Sequence, residues 1–328
     1  MKKIPDFVEK IFQMADNYSF NDITLQIFRL HLSENPVYGD FVKNIGISSD
    51  GINNPGEIPF LPVDFFKTQK IIMAEYETDF CFESTGTTGS KTSKHFIADT
   101  GIYSKSVTLG FRRFYGPPSD YLIFALVPER KNSSLVYMLD LLIRNSGRPE
   151  SGFYYERQDE LNQELIAAEA AGRPAILAGL SYALLDFGEK FNTRLNRTII
   201  METGGMKGKR KEMTRNELHD RMRDYFGVKT IHSEYGMCEL LSQAYSNGAG
   251  RFNTPPWMKI FIREVNDPFS LCEPGKTGLI NIVDLANIYS CPFIATDDIG
   301  KLHDDGSFEV LGRAQGSEVR GCNLMAEM

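Results

Sequence analysis

Ala175-Ile176-Leu177-Ala178-Gly179-Leu180 is a short apolar run, and the amphipathic stretch SYALLDFGEKF follows it directly at residues 181–191. The first pattern is typical of a buried strand and the second of a helix. The same alternation occurs in two other places: YLIFALV (121–127) before SSLVYMLDLLIR (133–144), and TIIME (198–202) before TRNELHDRMRDYFG (214–227). Strands that alternate with helices predict an α/β fold with a mainly parallel, helix-flanked sheet, whose ligands bind where the strands end.

The last of these helices carries both start and stop signals. Thr214 is placed as its N-cap, and Glu217 follows three residues later as the partner in a capping box. Gly227 comes just after the last periodic residue, where a left-handed backbone ends many helices. The sequence therefore predicts a helix that begins after Thr214 and ends before Gly227.

A different pattern begins near residue 257. Short strand-like runs are separated by turn residues and have no helical stretch between them: WMKIFIREV (257–265), TGLINIVDL (277–285), SCPFIAT (290–296) and SFEVLGR (307–313). We expect a smaller β-rich subdomain at residues 257–328 and an α/β core at residues 1–256. The first 80 residues are predicted to be helical with proline-rich loops, so that residues 1–328 form one unit with subdomains.

Composition excludes several classes of protein. The net charge of −7 disfavours a general nucleic-acid binder. The five cysteines are widely spread and form no CxxC pair, so neither a disulfide framework nor a zinc site is indicated. The longest apolar runs are far shorter than the ~20 residues that span a bilayer, and no signal-peptide core follows the N-terminal lysines. We expect a cytoplasmic protein without a membrane span, and its oligomeric state stays open.

Residues 84–94, STGTTGSKTSK, are rich in small, hydroxylated and basic side chains. Small residues let the backbone approach a phosphate closely, hydroxyl and N–H groups donate to its oxygens, and a lysine neutralises its charge. The segment predicts a phosphate-binding loop, with a flexible surface loop as the alternative. It nearly matches a Walker A motif, but Ser90 separates Gly89 from Lys91.

Residues 84–89 resemble the Ser/Thr/Gly-rich phosphate loop of adenylate-forming enzymes. The resemblance assigns ATP binding to these residues and to one of two lysines, Lys91 or Lys94, of which Lys94 is the candidate for catalysis. The residues of the loop core are Ser84, Thr85, Gly86, Thr87, Thr88 and Gly89.

The segment HSEYGMCE, residues 232–239, resembles the Y-G-x-T-E signature of the same enzymes, with Cys238 in place of threonine. It follows VKTI, which we predict to be a strand. The resemblance implies that Tyr235, with Gly236, binds adenine, since an aromatic face suits a base. It implies that Glu239 is catalytic and holds Mg²⁺, since a hard carboxylate suits a hard cation. Without the resemblance, a tyrosine and a glutamate after a strand are more often core packing and a solvated rim than binding residues, and this alternative stays open for Tyr235 and Glu239.

Three further segments resemble adenylate-forming enzymes in the expected order. The glycine-rich turn at Gly204 and Gly205 would lie against adenine, where glycine permits close backbone approach. In TDDIG, residues 296–300, Asp298 would bind the ribose hydroxyls; a plain hairpin turn is the alternative. Arg313 in GRAQ would contact ribose or phosphate, although Gln315 replaces the hinge aspartate.

The whole chain resembles the LuxE-type acyl-protein synthetases, which consist of the large domain of an adenylate-forming enzyme and lack its small C-terminal lysine domain. The resemblance implies that ATP and Mg²⁺ activate a carboxylic, typically fatty, acid as acyl-AMP in the cytoplasm. A cysteine near the C-terminus, here Cys322, would then receive the acyl group as a thioester. A reductase subunit or another acyl-acceptor protein is the implied partner.

Three alternatives stay open at this point. The chain could be an acyl-CoA or carrier-protein ligase subunit that a partner completes. It could be a non-catalytic nucleotide-binding subunit, or a hydrolase or kinase that uses the same phosphate loop. The products made from ATP distinguish these possibilities.

Overall fold

The computed structural model of the protein describes residues 3–14, 19–78, 80–84, 91–206, 208–211 and 213–314. The helices are α1 (Lys3–Phe12), α2 (Phe20–Glu34), α3 (Pro36–Asn44), α4 (Phe65–Thr68), α5 (Thr100–Tyr115), α6 (Ser134–Ser146), α7 (Gln158–Ala170), α8 (Ser181–Phe191) and α9 (Arg215–Phe226). The strands are β1 (Leu61–Pro62), β2 (Cys81–Glu83), β3 (Lys94–Phe96), β4 (Leu122–Leu126), β5 (Gly152–Phe153), β6 (Ala175–Leu180), β7 (Thr198–Thr203), β8 (His232–Tyr235), β9 (Ala244–Ser246), β10 (Arg251–Phe252), β11 (Met258–Arg263), β12 (Thr277–Asp284), β13 (Phe293–Leu302) and β14 (Phe308–Arg313).

The chain divides into two compact units. The parallel-sheet unit comprises residues 107–236 and 243–252. The strand-rich unit comprises residues 1–106, 237–242 and 253–328. The first 106 residues group with the C-terminal strands in this division, and the subdomain division at residue 257 stays a prediction.

The sheet of the parallel-sheet unit has the strand order β5–β4–β6–β7–β8–β9. All neighbours are parallel except β8 and β9, which form an antiparallel edge pair. Strands β4 and β6 are buried at every position, because helices cover both faces of a parallel sheet of this kind. The predicted strand–helix alternation is confirmed for AILAGL with SYALLDFGEKF and for the two other pairs.

The ends of α9 show why the sequence predicts them well. The hydroxyl of Thr214 accepts a hydrogen bond from the backbone N–H of Glu217, and the Glu217 side chain accepts one from the backbone N–H of Thr214. Gly227 closes the helix in the left-handed conformation at φ 70°. The predicted capping box and the stop at Gly227 are therefore confirmed.

The sheet of the strand-rich unit joins β11, β12, β13 and β14 in consecutive antiparallel pairs. The predicted β-rich region near the C-terminus is confirmed. Near the N-terminus, β1 adds to this sheet in parallel with β13, through the pairs Leu61↔Ile294 and Pro62↔Ala295. Helices α1 to α4 and their proline-rich loops precede β2, as expected. The sequence does not indicate the pairing of β1 with β13, which links segments far apart in the chain.

No helix in the described part of the chain is long and apolar enough to cross a membrane.

Candidate active site

The predicted phosphate loop is the segment of the chain that connects β2 to β3. The two strands are antiparallel, with Glu83 opposite Lys94. Beyond that pair, the backbone N–H of Ser84 donates to the carbonyl of Ser93 over 3.0 Å, and the N–H of Ser93 donates to the hydroxyl of Ser84 over 2.9 Å. An antiparallel strand after the loop differs from the strand–loop–helix context of a Walker A motif.

Several predicted phosphate ligands lie outside the described residues: Thr85, Gly86, Thr87, Thr88 and Gly89. Lys91 is the first described residue after these positions, and its side chain is exposed. Lys94 is half exposed, and its Nζ lies 3.7 Å from Oε1 of Glu83 on the opposite strand. It stays a prediction that one of these two lysines binds the phosphates.

Glu239 is a buried carboxylate in the strand-rich unit, with a relative exposure of 4%. Burial raises its pKa, and the negative charge of Asp298 acts in the same direction. A hydrogen bond from the Ser93 side chain and the positive charge of Arg313 oppose that shift. The structure therefore brings three sequence-predicted residues, Glu239, Asp298 and Arg313, into one electrostatic cluster. Ser93, at the base of the predicted phosphate loop, is the fourth member.

Asp298 and Arg313 face each other across β13 and β14, where they form a register pair. Nε of Arg313 lies 3.5 Å from Oδ1 of Asp298. The carboxylate is largely buried, whereas 60% of the arginine side chain is exposed. Residues 296–300 lie inside β13, so the hairpin-turn interpretation of TDDIG is wrong. A strand position holds the Asp298 side chain on a rigid element.

Buried polar side chains hold the backbone around Glu239. Nδ1 of His95 lies 2.9 Å from the carbonyl oxygen of Cys238, and the amide of Asn287 donates to the carbonyl of Glu239 over 2.7 Å. The carboxylate of Asp284 accepts hydrogen bonds from two backbone N–H groups in the turn that follows Glu239. Burial lowers the pKa of His95 to about 4, although the hydrogen bond to the carbonyl acts in the opposite direction. The ring is therefore neutral near pH 7.

In the parallel-sheet unit, the ends of β7 and β8 lie side by side. Gly204 and Gly205 follow β7 with left-handed backbones at φ 73° and 64°, which non-glycine residues rarely adopt. Tyr235 ends β8, and its ring centroid lies 5.9 Å from that of Phe252 in an edge-on arrangement. The predicted adenine-binding residues Gly204, Gly205 and Tyr235 thus follow or end neighbouring parallel strands.

Gly236 follows Tyr235 in a tight position. A Cβ atom at Gly236 would lie 2.5 Å from Oε1 of Glu234. The other oxygen of that carboxylate accepts a hydrogen bond from the hydroxyl of Thr203 over 2.5 Å. The prediction of a strand at VKTI is wrong by a few residues, because β8 consists of His232–Tyr235. Glu234, a strand residue, fills the space that a larger residue 236 would need.

A buried ionic cluster at the end of β7 was not predicted from the sequence. Glu202 accepts hydrogen bonds from Ser181 over 2.8 Å and from Arg215 over 3.0 Å, and His219 Nε2 lies 3.4 Å away. Burial alone would raise the pKa of Glu202, but these partners outweigh it and the pKa is lowered. Glu202 directly precedes the TGG turn, which is the only hint in the sequence that it belongs to this region.

The predicted acyl-acceptor cysteine and the predicted Mg²⁺ site both stay predictions. Cys322, the predicted acyl acceptor, lies outside the described residues, as does Gln315. Within the described ranges, no group of three or more His, Cys, Asp or Glu side chains could hold a metal ion. Mg²⁺ commonly binds through one or two carboxylates together with substrate phosphates and water, so this finding is compatible with Glu239 as its protein ligand.

Comparison with solved structures identifies the fold. The chain aligns with a 2-hydroxyisobutyryl-CoA ligase in complex with 2-HIB-AMP and CoA at a TM-score of 0.62 and 14% identity, over 89% of this chain and 69% of the other. ATP-bound MatB from Rhodopseudomonas palustris aligns at a TM-score of 0.54 and 13% identity, over 71% of this chain and 47% of MatB. This chain therefore spans about half the length of MatB. The fold is that of the adenylate-forming enzymes.

Comparison with sequences identifies the family. The long-chain-fatty-acid–luciferin-component ligase of Vibrio harveyi is 22% identical over 90% of this chain and 84% of its own length. The protein of the same name from Aliivibrio fischeri is 23% identical over 91% of this chain and 85% of its own length. The profile of the family described as acyl-protein synthetase, LuxE, matches residues 155–328, more than half of the chain. The chain therefore belongs to the acyl-protein synthetase family LuxE, an enzyme family whose curated relatives are named ligases.

Proposed function

We propose that the protein activates a fatty acid with ATP as acyl-AMP and then transfers the acyl group to a thiol. The observation that carries this proposal is the cluster of Glu239, Ser93, Asp298 and Arg313. It joins a buried carboxylate, the base of the predicted phosphate loop, a second carboxylate and an exposed guanidinium. This combination suits a nucleotide, which presents phosphates, ribose hydroxyls and a bound cation to the same surface.

The proposed roles are those that the resemblance to adenylate-forming enzymes implies, and the chemistry of each side chain supports them. Asp298 accepts hydrogen bonds from the ribose hydroxyls, and Arg313 contacts ribose or phosphate with its exposed guanidinium. Tyr235 and the backbone at Gly204 and Gly205 bind adenine. The residues of the β2–β3 loop, with Lys91 or Lys94, bind the phosphate chain.

Glu239 is the residue proposed to hold Mg²⁺. Its carboxylate is a hard oxygen donor, and burial beside the negative charge of Asp298 raises its pKa. A cation favours the ionised carboxylate, so its binding would offset the cost of that burial. When bound, Mg²⁺ would neutralise the negative charge that develops on the phosphates.

The first chemical step is attack by an oxygen of the fatty-acid carboxylate on the α-phosphorus of ATP. The bond between the α-phosphorus and the bridging oxygen breaks, and pyrophosphate leaves with that electron pair. The protein orients the reactants and supplies opposite charge around the phosphates, since phosphoryl transfer depends mainly on positioning and electrostatics. The product is acyl-AMP, a mixed anhydride.

The second step is thioester formation. A thiolate attacks the acyl carbonyl, the bond from that carbonyl to the AMP oxygen breaks, and AMP leaves. Cys322 is the proposed thiol within this chain, and Arg320, two residues earlier, would favour the thiolate. A reductase subunit or another acyl-acceptor protein is the proposed partner for the acyl group.

The experiment is carboxylate-dependent exchange of labelled pyrophosphate into ATP, measured with fatty acids of increasing chain length. The wild type is expected to catalyse exchange with a preferred chain length, and Glu239→Gln is expected to lose most of it. Release of ADP instead of AMP would contradict the proposal and favour a kinase or hydrolase. Binding of ATP without exchange for any acid would indicate a non-catalytic subunit.

The acyl acceptor is tested in the same assay with labelled fatty acid. Cys322→Ser is expected to keep exchange and lose the label that stays on the protein after denaturation. Cys272→Ser is the matched control, because Cys272 is a half-buried thiol whose pKa is raised by burial. Equal loss of label in both variants, or label retained in Cys322→Ser, would contradict the role of Cys322. Addition of coenzyme A tests the competing acyl-CoA product.

A further inference from the structure

The backbone from Cys238 to Ser242 is held by three side chains of the strand-rich unit. His95 of β3 binds the carbonyl of Cys238, and Asn287, just beyond β12, binds the carbonyl of Glu239. Asp284, the last residue of β12, binds the N–H groups of Leu241 and Ser242. The three side chains have relative exposures of 0%. The peptide groups before and after Glu239 are therefore both fixed.

Asp284 makes more hydrogen bonds to this segment than His95 or Asn287 does. Its Oδ2 accepts from the N–H groups of Leu241 and Ser242 over 2.8 and 2.9 Å. Its Oδ1 accepts from the hydroxyl of Ser242 over 2.6 Å and from the N–H of Ala286 over 3.2 Å. Burial raises the pKa of Asp284 to about 6, and these hydrogen bonds oppose the shift, so the carboxylate is ionised near pH 7.

A buried carboxylate is costly unless each oxygen has donors, and Asp284 has two donors on each. All of these donors come from two short segments, and one of the segments is the turn that follows Glu239. The side chain of Glu239 is held in turn by Ser93. Movement of the Leu241–Ser242 backbone would therefore shift Glu239 relative to Ser93, Asp298 and Arg313.

We propose that Asp284 is a positioning residue for Glu239, which it holds through the backbone of residues 238–242 in the orientation that binds magnesium-ATP. The inference rests on the proposed function, because it assumes that Glu239 holds Mg²⁺. Asp284 does not contact the reactants in this scheme. It fixes the residue that does, in the way that outer partners orient metal ligands in other proteins.

Trp257 provides an internal reporter for this segment. It is the single tryptophan of the chain, and it is buried. Its Nε1–H donates to the hydroxyl of Ser242 over 3.0 Å and to that of Ser106 over 3.1 Å. The same Ser242 hydroxyl donates to Asp284. Fluorescence of the protein without ligands therefore responds to the packing of the turn that Asp284 holds.

The principal variant is Asp284→Asn, which keeps the shape of the side chain. Asparagine offers one acceptor oxygen, so its NH₂ group must face two of the four donors. We expect the Mg²⁺ concentration for half-maximal pyrophosphate exchange to rise by about tenfold or more. We expect calorimetric titration with ATP at fixed Mg²⁺ to show a matching loss of affinity, and acrylamide to quench Trp257 more strongly without ligands.

The matched control is Glu169→Gln in the parallel-sheet unit. Glu169 also accepts several backbone N–H groups, those of Asn196, Arg197 and Thr198, but at the amino-terminal end of β7. This variant is expected to lower the unfolding temperature and leave the Mg²⁺ dependence unchanged. A loss of stability without a change in Mg²⁺ dependence is therefore the signature of a merely structural carboxylate.

Ser242→Ala is the milder second variant, in case Asp284→Asn does not fold. It removes one of the four donors and is expected to change the Mg²⁺ dependence in the same direction by a smaller factor. Wild-type Mg²⁺ dependence in folded Asp284→Asn or, failing that, in Ser242→Ala would overturn the inference and leave the proposed function intact. Wild-type Mg²⁺ dependence in Glu239→Gln would instead overturn the role of Glu239 itself, and the inference with it.

Discussion

The side chain of Ser93 hydrogen-bonds the carboxylate of Glu239, while the backbone of Ser93 pairs with Ser84. One residue thus connects the base of the predicted phosphate loop to the glutamate of the signature segment. A shift of either element would be transmitted to the other through a single hydrogen bond. This link makes Ser93 the first position at which to test the site.

Ser93→Ala is expected to lower the rate of pyrophosphate exchange by about tenfold, because a hydrogen bond to a buried charged group contributes about 1.5–3 kcal/mol. Exchange assays at saturating fatty acid measure the effect. Ser146→Ala is the control, since Ser146 is also buried and donates to the carbonyl of Ile143 in α6. Similar exchange rates in the two variants would contradict the link.

Glu202→Gln is expected to lower the free energy of unfolding by about 3 kcal/mol, because it removes the buried carboxylate that pairs with Arg215 and accepts a hydrogen bond from Ser181. Urea denaturation measures the loss. Glu160→Gln removes an exposed ion pair with Arg157 and is expected to cost less than about 1 kcal/mol. Equal costs would show that Glu202 is not a buried anchor of the parallel-sheet unit.

Stability is expected to fall as the pH drops from 7 to 5, in part because of His31. Burial lowers its pKa to about 3, although a hydrogen bond with the carbonyl of Ile288 acts in the opposite direction. Below pH 6.5 the unfolded histidine binds a proton that the folded one does not, so acid favours unfolding. The contribution at pH 5 is about 2 kcal/mol. Chemical denaturation of wild type and His31→Gln at both pH values measures it, and parallel losses would contradict this assignment.

Gly236→Ala is expected to destabilise the protein by about 1–3 kcal/mol and to weaken ATP binding, because the new methyl group would displace the Glu234 carboxylate from Thr203. Thermal unfolding and calorimetric ATP titration measure the two effects. Gly110→Ala in α5 should have the opposite effect on stability, since its Cβ meets nothing within 4 Å and alanine favours a helix. A neutral Gly236→Ala variant would contradict the tight packing at this position.

Local patterns in the sequence predict much of the fold. The capping box at Thr214 and the stop at Gly227 are confirmed because caps depend on residues within a few positions of one another. VKTI is wrong as a strand, because its apolar character reflects burial of Ile231 rather than pairing, and the paired residues are His232–Tyr235. Hydrophobicity indicates burial more directly than it indicates register.

The candidate site is only partly visible in the sequence. Glu239, Asp298 and Arg313 are recognisable because they lie in segments that resemble the family. Their supports, such as Asp284 and Asn287, lie in NIVDLAN, where single polar residues interrupt an apolar run without any motif. Such residues become meaningful only when the fold places their side chains against the backbone of another segment.

The pairing of β1 with β13 also constrains the order in which the protein can fold. The parallel-sheet unit consists of residues 107–236 and 243–252, so its strands are all present before β11 leaves the ribosome. The strand-rich unit needs Leu61 to meet Ile294, and until β13 is synthesised the apolar N-terminal segments lack their final partner. Closing such a long loop is slow, and apolar segments that stay exposed until then favour aggregation with other chains. During synthesis, chaperones are therefore expected to bind mainly to the first 106 residues.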